Sequence, residues 1–326
     1  MGDVILVTPL LSYLKERYRG AAVTLVTGVE YAPLFAGDPR LSQAIALPRE
    51  APALPGALIA ETWDLVVDLQ NSGRSRRLVS SLRSAGHAVF FNKLHWSRWA
   101  LLLFRHDTYG SSPGIAARYI RTVSAASLPE PVPSPRLFFS GESCTRAIAS
   151  FNEQAGGIVR PSIALFPFSA WKNKEWPRDR FISVGRYYGA RGWNVAIFGG
   201  PEDTTRADAI KERIGQRCIS LAGRCTLYEC GALLSHFSLA LGNDTGLSHL
   251  ARAAGTKVGI LFGPTTRHFG FYPGGDPPFK VFETPLCCRP CHAHGGNVCL
   301  RISHRCMRSI GYKEVVAGLE TLFQGG

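Results

Sequence analysis

The chain has 326 residues, 45% of them hydrophobic, and a formal net charge of +13. Its length points to two domains with ample core, and the most apolar run, residues 99–104, is far too short to cross a bilayer. So positive a charge calls for an anionic partner; with no nucleic-acid-binding signature in the chain, an anionic membrane face and phosphorylated small molecules lead.

Asp3 follows the initial methionine with no basic segment ahead of it, so no secretory signal is expected and a cytoplasmic protein is. Residues 4–18 are apolar on one face and end in basic residues before Gly20, which predicts a helix with a carboxylate at its start. Pro9, inside that helix, predicts an irregular first turn. A strand is expected over 22–27, a short helix over 31–36 and another strand over 44–47. Residues 48–62 carry three prolines and read as a loop with room for a short helix, while 63–69, apolar on both faces, reads as a central parallel strand. A polar, basic loop over 70–77 then leads into a helix. The segment 90–105 mixes aromatic and aliphatic residues with Lys93, Arg98 and Arg105. It is either ordinary core helix with loop or a membrane-facing, acceptor-side surface.

Four prolines in residues 128–136 predict an extended linker, and a helix over 141–156 follows it. Beyond residue 161, strands are expected at 162–166, 193–198, around 219, around 240 and at 258–262, with helices at 177–191 and 204–214 between them. Strands separated by helices imply parallel sheets. The fold class is therefore α/β, with Rossmann-like domains over 1–156 and 157–326 facing a cleft, and ligands belong outside the carboxyl ends of the strands.

The most informative stretch is Gly242-Asn-Asp-Thr-Gly-Leu-Ser-His249. It follows an apolar strand-like run and opens a segment with Leu247, Leu250, Ala251 and Ala254 at helical spacing, so Asp244 and Thr245 fall at an N-cap. Glycines at 242 and 246 permit a sharp turn and close approach. The free N–H groups of the first turn then form a seat for phosphate, with His249 one turn further in. Taken alone, the stretch is equally a plain capped turn. Three more turns strengthen it. In Phe168-Ser-Ala-Trp-Lys-Asn-Lys174, Ser169 and Lys172 or Lys174 offer a hydroxyl and a point charge to phosphate. In Phe198-Gly-Gly-Pro-Glu202, Glu202 could hold a ribose hydroxyl. Phe262-Gly-Pro-Thr265 supplies a further tight turn at a strand end.

In order and spacing, Met1-Gly-Asp-Val4 with Thr8-Pro9, Asp68-Leu-Gln70 with Arg74-Ser75, Lys174-Glu-Trp-Pro177 and the three glycine turns resemble the ADP-heptose:lipopolysaccharide heptosyltransferases, glycosyltransferase family 9. The resemblance spans essentially the whole chain. It implies a GT-B fold and an inverting transfer of heptose from ADP-heptose to a lipid-linked lipopolysaccharide inner-core acceptor. It also implies that catalysis needs no cofactor, that nucleic acid is not a partner, and that a cytoplasmic protein works peripherally at the anionic inner-membrane surface. Carried onto this sequence, Asp3 resembles the general base and Lys174 and Ser169 the ligands of the donor phosphates, with Lys174 relieving charge on the departing diphosphate. Asp244, Thr245, Gly246 and His249 correspond to the donor-binding turn, and Cys225 and Thr226 to the position against the adenine. Arg74, Lys93 and Arg98 belong to the acceptor and membrane side, and Ala170 stands where some members carry a second hydroxyl. A non-catalytic sugar-nucleotide-binding paralogue and a GT-B sugar-nucleotide epimerase are the competing readings. One departure concerns the start: the family has a buried strand before its Gly-Asp turn, whereas Met1 directly precedes Gly2 here. The N-terminal sheet is therefore expected to lack a strand and Asp3 to hang from a free end.

Nine cysteines in a chain without a signal point to a reducing compartment with thiols or a metal site. Cys288, Cys291, Cys299 and Cys306, within 287–306, are spaced as structural metal ligands are. Zinc or a similar metal is one expectation; free thiols or an occasional disulfide is the other.

Overall fold

The computed structural model describes residues 1–51, 53–84, 87–110, 113–124, 128–155, 161–299 and 301–325. The chain starts as two consecutive helices, α1 (Gly2–Ile5) and α2 (Thr8–Arg17). The helix expected over 4–18 is thus interrupted at Leu6 and Val7, and Pro9 sits in the first turn of α2, where its missing N–H is not needed. Thr8 Oγ1 closes the joint by donating to Ile5 O at 2.8 Å. The strands β1 (Thr24–Gly28) and β2 (Gln43–Leu47) follow as a parallel pair joined through a 3₁₀ turn at Ala32–Phe35.

Residues 63–69 do not form the single central strand that their apolar run predicts. After α3 (Gly56–Ala60) they divide between β3 (Thr62–Trp63) and β4 (Val66–Asp68). The Trp63 indole turns back to donate to Leu58 O at 2.9 Å, and the Asp68 carboxylate accepts from Asn71 N and Ser75 Oγ, both at 2.7 Å. Those bonds commit the two ends of the run to different neighbours, α3 on one side and α4 (Gly73–Ser80) on the other. Accordingly β3 pairs with β5 (Arg83–Ser84) and β4 with β6 (Ala88–Phe90). Among the described residues, the N-terminal half holds three separate parallel pairs where a continuous sheet was expected. The helices α5 (His95–Phe104) and α6 (Ile115–Val123) complete this half, and Leu6 and Leu10 bind it together by packing on Phe91, Tyr119 and Ile120. Residues 128–140 carry no helix or strand, as the prolines predict, and α7 (Glu142–Ala155) follows. The domain boundary expected between 156 and 157 lies outside the described residues.

The second half is one six-stranded parallel sheet. Its strands are β7 (Ser162–Phe166), β8 (Asn194–Ile197), β9 (Cys218–Ser220), β10 (Leu239–Asn243), β11 (Lys257–Phe262) and β12 (Phe279–Glu283), in the order β9-β8-β7-β10-β11-β12. Its helices are α8 (Arg178–Gly189), α9 (Thr204–Ile214), α10 (Leu227–Leu234), α11 (Gly246–Ala253), the short α12 (Arg305–Arg308) and α13 (Tyr312–Gln324). The strands are apolar throughout because both faces are covered. Ile163, Leu165, Leu239 and Leu241 pack with Phe181, Ile210 and Leu319, whereas Ala164, Phe166, Ala240 and Phe262 pack with Leu233, Leu250 and Phe237. The period-two alternation therefore sets α8, α9 and α13 on one face and α10 and α11 on the other. The second of these cores also takes in Ile5, Leu34, Phe35 and Phe151, so the two halves share it. Strand order reverses between β7 and β10, and a crevice opens outside their carboxyl ends.

Candidate active site

A cavity of about 740 Å³ occupies that crevice. The turns after β7, β8, β10 and β11, which the sequence had singled out one by one, all contribute to it. Asp3, Ser169, Lys174, Glu202, Cys225, Asp244, Thr245, Gly246 and His249 line it. Thr226 does not. It is the N-cap of α10, where its hydroxyl accepts from Glu229 N at 3.3 Å and the Glu229 carboxylate accepts from Thr226 N at 2.8 Å, so helix capping employs it.

At the floor, Lys174 Nζ stands 2.6 Å from Asp244 Oδ2 and also donates to Asp244 O at 3.2 Å, with both side chains buried. Thr265 Oγ1, from the turn after β11, donates to the same carboxylate oxygen at 3.1 Å. His249 Nε2 lies 4.0 Å from the other oxygen, Oδ1. Burial pushes the His249 imidazole below its ordinary 6.5, against the pull of Asp244, so the ring is neutral at neutral pH. Asp244 is thereby surrounded by donors of the protein itself. Asn243, which sequence reasoning passed over, is the joint beneath it. Its Oδ1 accepts from Trp176 N at 2.9 Å and its Nδ2 donates to Phe166 O at 3.3 Å and Pro167 O at 3.0 Å, locking the segment that carries Lys174 onto the end of β10. The available signal was its position: an amide side chain at the last residue of a buried strand has to find backbone partners there.

Gly242 and Gly246 were expected to supply a sharp turn, but neither has a positive φ. Contact explains them better. A Cβ at Gly242 would come within 2.6 Å of Phe166 and Ser248, and one at Gly246 within 2.6 Å of the Met1 side chain. Thr245 is the N-cap of α11, yet its hydroxyl caps nothing and is buried without a partner. A spare hydroxyl and a helix N-terminus together offer hydrogen-bond donors and positive potential to an anion in the cavity.

Around the rim, Ser169 Oγ accepts from Trp171 N at 3.2 Å. Arg206, also missed in the sequence, forks onto Glu175 at 2.7 and 2.8 Å, bonds Asp203 at 3.1 Å and lies 4.7 Å from the centre of the Phe168 ring. It ties the turn after β7 to the turn after β8 and so holds Ser169 and Glu202 in register. The Cys225 thiol is more acidic than an ordinary thiol, chiefly because Cys230 hydrogen-bonds to it, and Cys230 is held correspondingly high.

Asp3 does not hang free. It is carried on α1, whose Gly2 rests against the ring of His249, where a Cβ would come within 3.2 Å, and its carboxylate is exposed at the cavity. The expected acceptor-side residues separate. Arg74 donates to Pro48 O at 2.9 Å, outside the cavity wall, and Lys93 does not line the cavity either. Arg98 Nη1 reaches to 3.5 Å from Nε2 of His294, a ring that does line the cavity. Arg105 donates to Pro290 O, so α5 is fastened to the cysteine-rich segment across the cleft.

The four cysteines expected to ligate zinc do not form a ligand set. Among the described residues, no three His, Cys, Asp or Glu side chains converge as metal ligands would. Cys306 is buried in the core beside Met307, where burial first, and Cys291 second, push its thiol up to about 11. No described cysteine is disulfide-bonded.

The profile of glycosyltransferase family 9 (heptosyltransferase) matches residues 53–286. The chain is 25% identical over 293 residues to lipooligosaccharide heptosyltransferase 2 of Haemophilus influenzae, a match covering 82% of this chain and 82% of that one. Among solved structures it is similar to the family 9 glycosyl transferase of Veillonella parvula, with a TM-score of 0.80 and 18% identity over 100% of this chain and 95% of that one. It is also similar to the ADP-heptose lps heptosyltransferase II of E. coli, with a TM-score of 0.75 and 21% identity over 99% of this chain and 96% of that one. The two α/β halves about a cleft are those of the GT-B fold.

Proposed function

Since the chain belongs to glycosyltransferase family 9 and is a glycosyltransferase, we propose that it transfers heptose from ADP-heptose to the inner core of a lipopolysaccharide acceptor, with inversion at the anomeric carbon. The observation that carries this reading is the buried Lys174–Asp244 pair at the strand-order reversal, beside a helix N-terminus whose Thr245 hydroxyl lacks a partner. The names of the relatives, which include ADP-heptose, lps and lipooligosaccharide, support this choice of donor and acceptor.

In this reading residues 157–326 bind the donor and residues 1–156 the acceptor. The diphosphate rests on the first-turn N–H groups of α11 and on Thr245 Oγ1, with Ser169 Oγ and the remaining Lys174 proton completing the seat. Glu202 takes a ribose hydroxyl, and Cys225 lies against the adenine. Asp244 acts as the brace that aims Lys174 and does not touch the phosphates, because two anions side by side would repel. The acceptor hydroxyl attacks the anomeric carbon as Asp3 takes its proton, and the bond from that carbon to the phosphate oxygen breaks. The charge gathering on the departing diphosphate meets Lys174 and the positive end of α11.

The enzyme works from the cytoplasmic side, adsorbed on the inner membrane. None of its described helices is long and apolar enough to cross a bilayer, so contact is made at the surface. The element for it is α5, on which Trp96, Trp99, Leu103 and Phe104 are 87%, 55%, 64% and 76% exposed beside Lys93, Arg98 and Arg105.

The test is to incubate the protein with ADP-heptose labelled in the sugar and a heptose-deficient lipopolysaccharide. One ADP should be released for each label that enters the lipopolysaccharide. Release of ADP with all label in free sugar defeats the proposal. Label that stays on the nucleotide with altered sugar configuration identifies an epimerase instead.

A further inference from the structure

Two thiols stand in the cavity wall, and the transfer reaction as proposed uses neither sulfur chemically. Cys225 and Cys230 are the described cysteines that line the cavity. Cys225 lies one residue ahead of the N-cap of α10 and is half-buried, whereas Cys230 is in the first turn of that helix and is 5% exposed. The turn brings them together: Cys230 N donates to Thr226 O at 2.9 Å, and Cys230 Sγ lies 3.9 Å from Cys225 O. The Cys230 thiol also hydrogen-bonds the Cys225 sulfur.

That bond has a direction. A thiolate accepts strongly and a thiol weakly, so a donating Cys230 favours the charged form of Cys225. The bond is the largest influence holding the Cys225 thiol below its ordinary value; Arg224 acts in the same sense, while burial and the Glu229 carboxylate oppose it. The same bond, and then burial, hold Cys230 well above its ordinary value. One sulfur is thus a nucleophile open to the cavity, and the other a protonated neighbour in contact with it. Those are the roles of an attacking and a resolving cysteine. Cys218 and Cys306 are different, since both are buried in the core, which pushes their thiols up to about 12 and about 11.

We propose that Cys225 and Cys230 form a reversible oxidation site, converted by a peroxide to a disulfide, and that the disulfide form binds nucleotide poorly. The first part stands on the two side chains alone; the second rests on the reading of this wall as the bed of the adenine. The Cys225 thiolate attacks one peroxide oxygen, an S–O bond forms, the O–O bond breaks, and the departing hydroxide takes a proton to become water. Cys225 is then a sulfenic acid. The Cys230 sulfur, giving up its proton, attacks the Cys225 sulfur; the S–S bond forms as the S–O bond breaks, and the hydroxyl leaves with that proton as a second water. Two thiols have lost the two electrons that one peroxide has gained.

A covalent bond brings two sulfurs closer than a hydrogen bond does. The helix is not free to make that movement. Its start is fixed by the capping box of Thr226 and Glu229, and by Tyr228, whose phenol donates to Ser140 O at 2.8 Å and accepts from Ser140 N at 3.1 Å. Closure therefore falls to the Cys225 side chain, which is drawn off the cavity face toward Cys230.

Mass spectrometry reads the site directly, because trypsin releases residues 225–252 as one peptide holding both thiols. The whole protein is treated with one equivalent of hydrogen peroxide, its remaining thiols are blocked with iodoacetamide, and it is digested. That peptide should appear two hydrogens lighter and unalkylated, and a dithiol added before blocking should return it to the doubly alkylated form. Cys230→Ala should stop at the sulfenic acid, which dimedone traps on Cys225, and Cys225→Ser should leave Cys230 unoxidised. A peptide still doubly alkylated after peroxide, or Cys225 joined to a cysteine of another peptide, overturns the site. The wild-type measurement holds whether or not either variant folds. Calorimetry with ADP tests the consequence: the disulfide form should bind about tenfold more weakly than the reduced form, or worse, and a dithiol should restore the affinity. Equal affinity of the two forms overturns the closure. A protein that forms the disulfide but binds ADP in neither form refutes the donor reading, and the closure with it, and supports the oxidation site.

Discussion

Lys174 and Asp244 meet at 2.6 Å from the ends of two neighbouring strands, and neither side chain has appreciable access to water. A pair so placed contributes little net stability as a pair, but removing one partner strands the other charge in a poorly solvated site. Lys174→Met and Asp244→Leu should therefore each cost about 3–5 kcal/mol in urea unfolding, with the double variant recovering much of the sum. Losses that simply add would show that the two side chains are not energetically coupled. On the proposed reaction either single change should also abolish turnover, Lys174→Met by removing the cation assigned to the diphosphate and Asp244→Leu by releasing it.

Asp3→Asn should lower kcat by about 10²-fold or more while the donor KM stays near the wild-type value, because an amide of the same shape cannot take a proton. Steady-state kinetics with both substrates varied make the measurement. An unaltered kcat would move the base to another carboxylate.

The pH dependence of stability should carry the mark of His249. Its folded-state pKa lies below the ordinary 6.5, chiefly through burial. As pH falls through 6.5 the unfolded chain takes up a proton on this ring that the folded chain refuses, so the unfolded state gains and stability drops. Above that pH both states are neutral at this residue and it adds no slope. His249→Gln should flatten the acid side of a stability-versus-pH curve by up to about 1.4 kcal/mol per pH unit and leave the curve near pH 8 parallel to wild type. An unchanged acid slope would mean that the ring is protonated in the fold.

The turns that line the cavity from the second half were legible because their signals are local. Each turn after a parallel strand carries its own glycine, hydroxyl or lysine, and strand-helix alternation alone sets all of them on one sheet edge. What escaped were residues whose role exists only between distant segments. Arg206 joins the turns after β7 and β8, Asn243 pins the backbone at Phe166 and Pro167, and His294 crosses to α5. For Arg206 and His294 nothing in the immediate neighbourhood announces that partner, and for Asn243 the position at a strand end calls for backbone partners without saying which. Thr226 misled for the opposite reason: a threonine three residues before a glutamate makes a capping box, and the local bond claims it. The run at 63–69 misled because apolarity does not disclose which partner each end will pair with, and side-chain bonds from Trp63 and Asp68 divided it. The cysteine spacing matched a metal site in sequence, but spacing does not fix where side chains point, and among the described residues no three converge as ligands.

The exposed face of α5 leads to the last prediction. Trp96, Trp99, Leu103 and Phe104 remain largely in water on a helix of ten residues, a concentration of apolar surface that a soluble face does not need. Burying one such side chain in the interfacial region of a bilayer is worth about 1.5–3 kcal/mol, and each basic residue near an anionic surface adds about 1 kcal/mol. The two contributions differ in their response to salt, since only the second is screened within a Debye length of about 10 Å at 0.1 M. Binding to anionic vesicles should therefore fall as salt rises but level off above zero. Trp96→Glu with Phe104→Glu should remove the salt-resistant remainder, while Lys93→Gln with Arg105→Gln should remove mainly the salt-sensitive part. Vesicle co-sedimentation measures both. Equal binding to neutral and anionic vesicles by the wild type would discard the electrostatic half of the idea. Retention of salt-resistant binding after both glutamate substitutions would discard α5 as the docking element. Because α5 is also fastened to the cysteine-rich segment through Arg98 and Arg105, vesicles should raise turnover on a membrane-bound acceptor and leave the rate with a detergent-free, truncated acceptor unchanged.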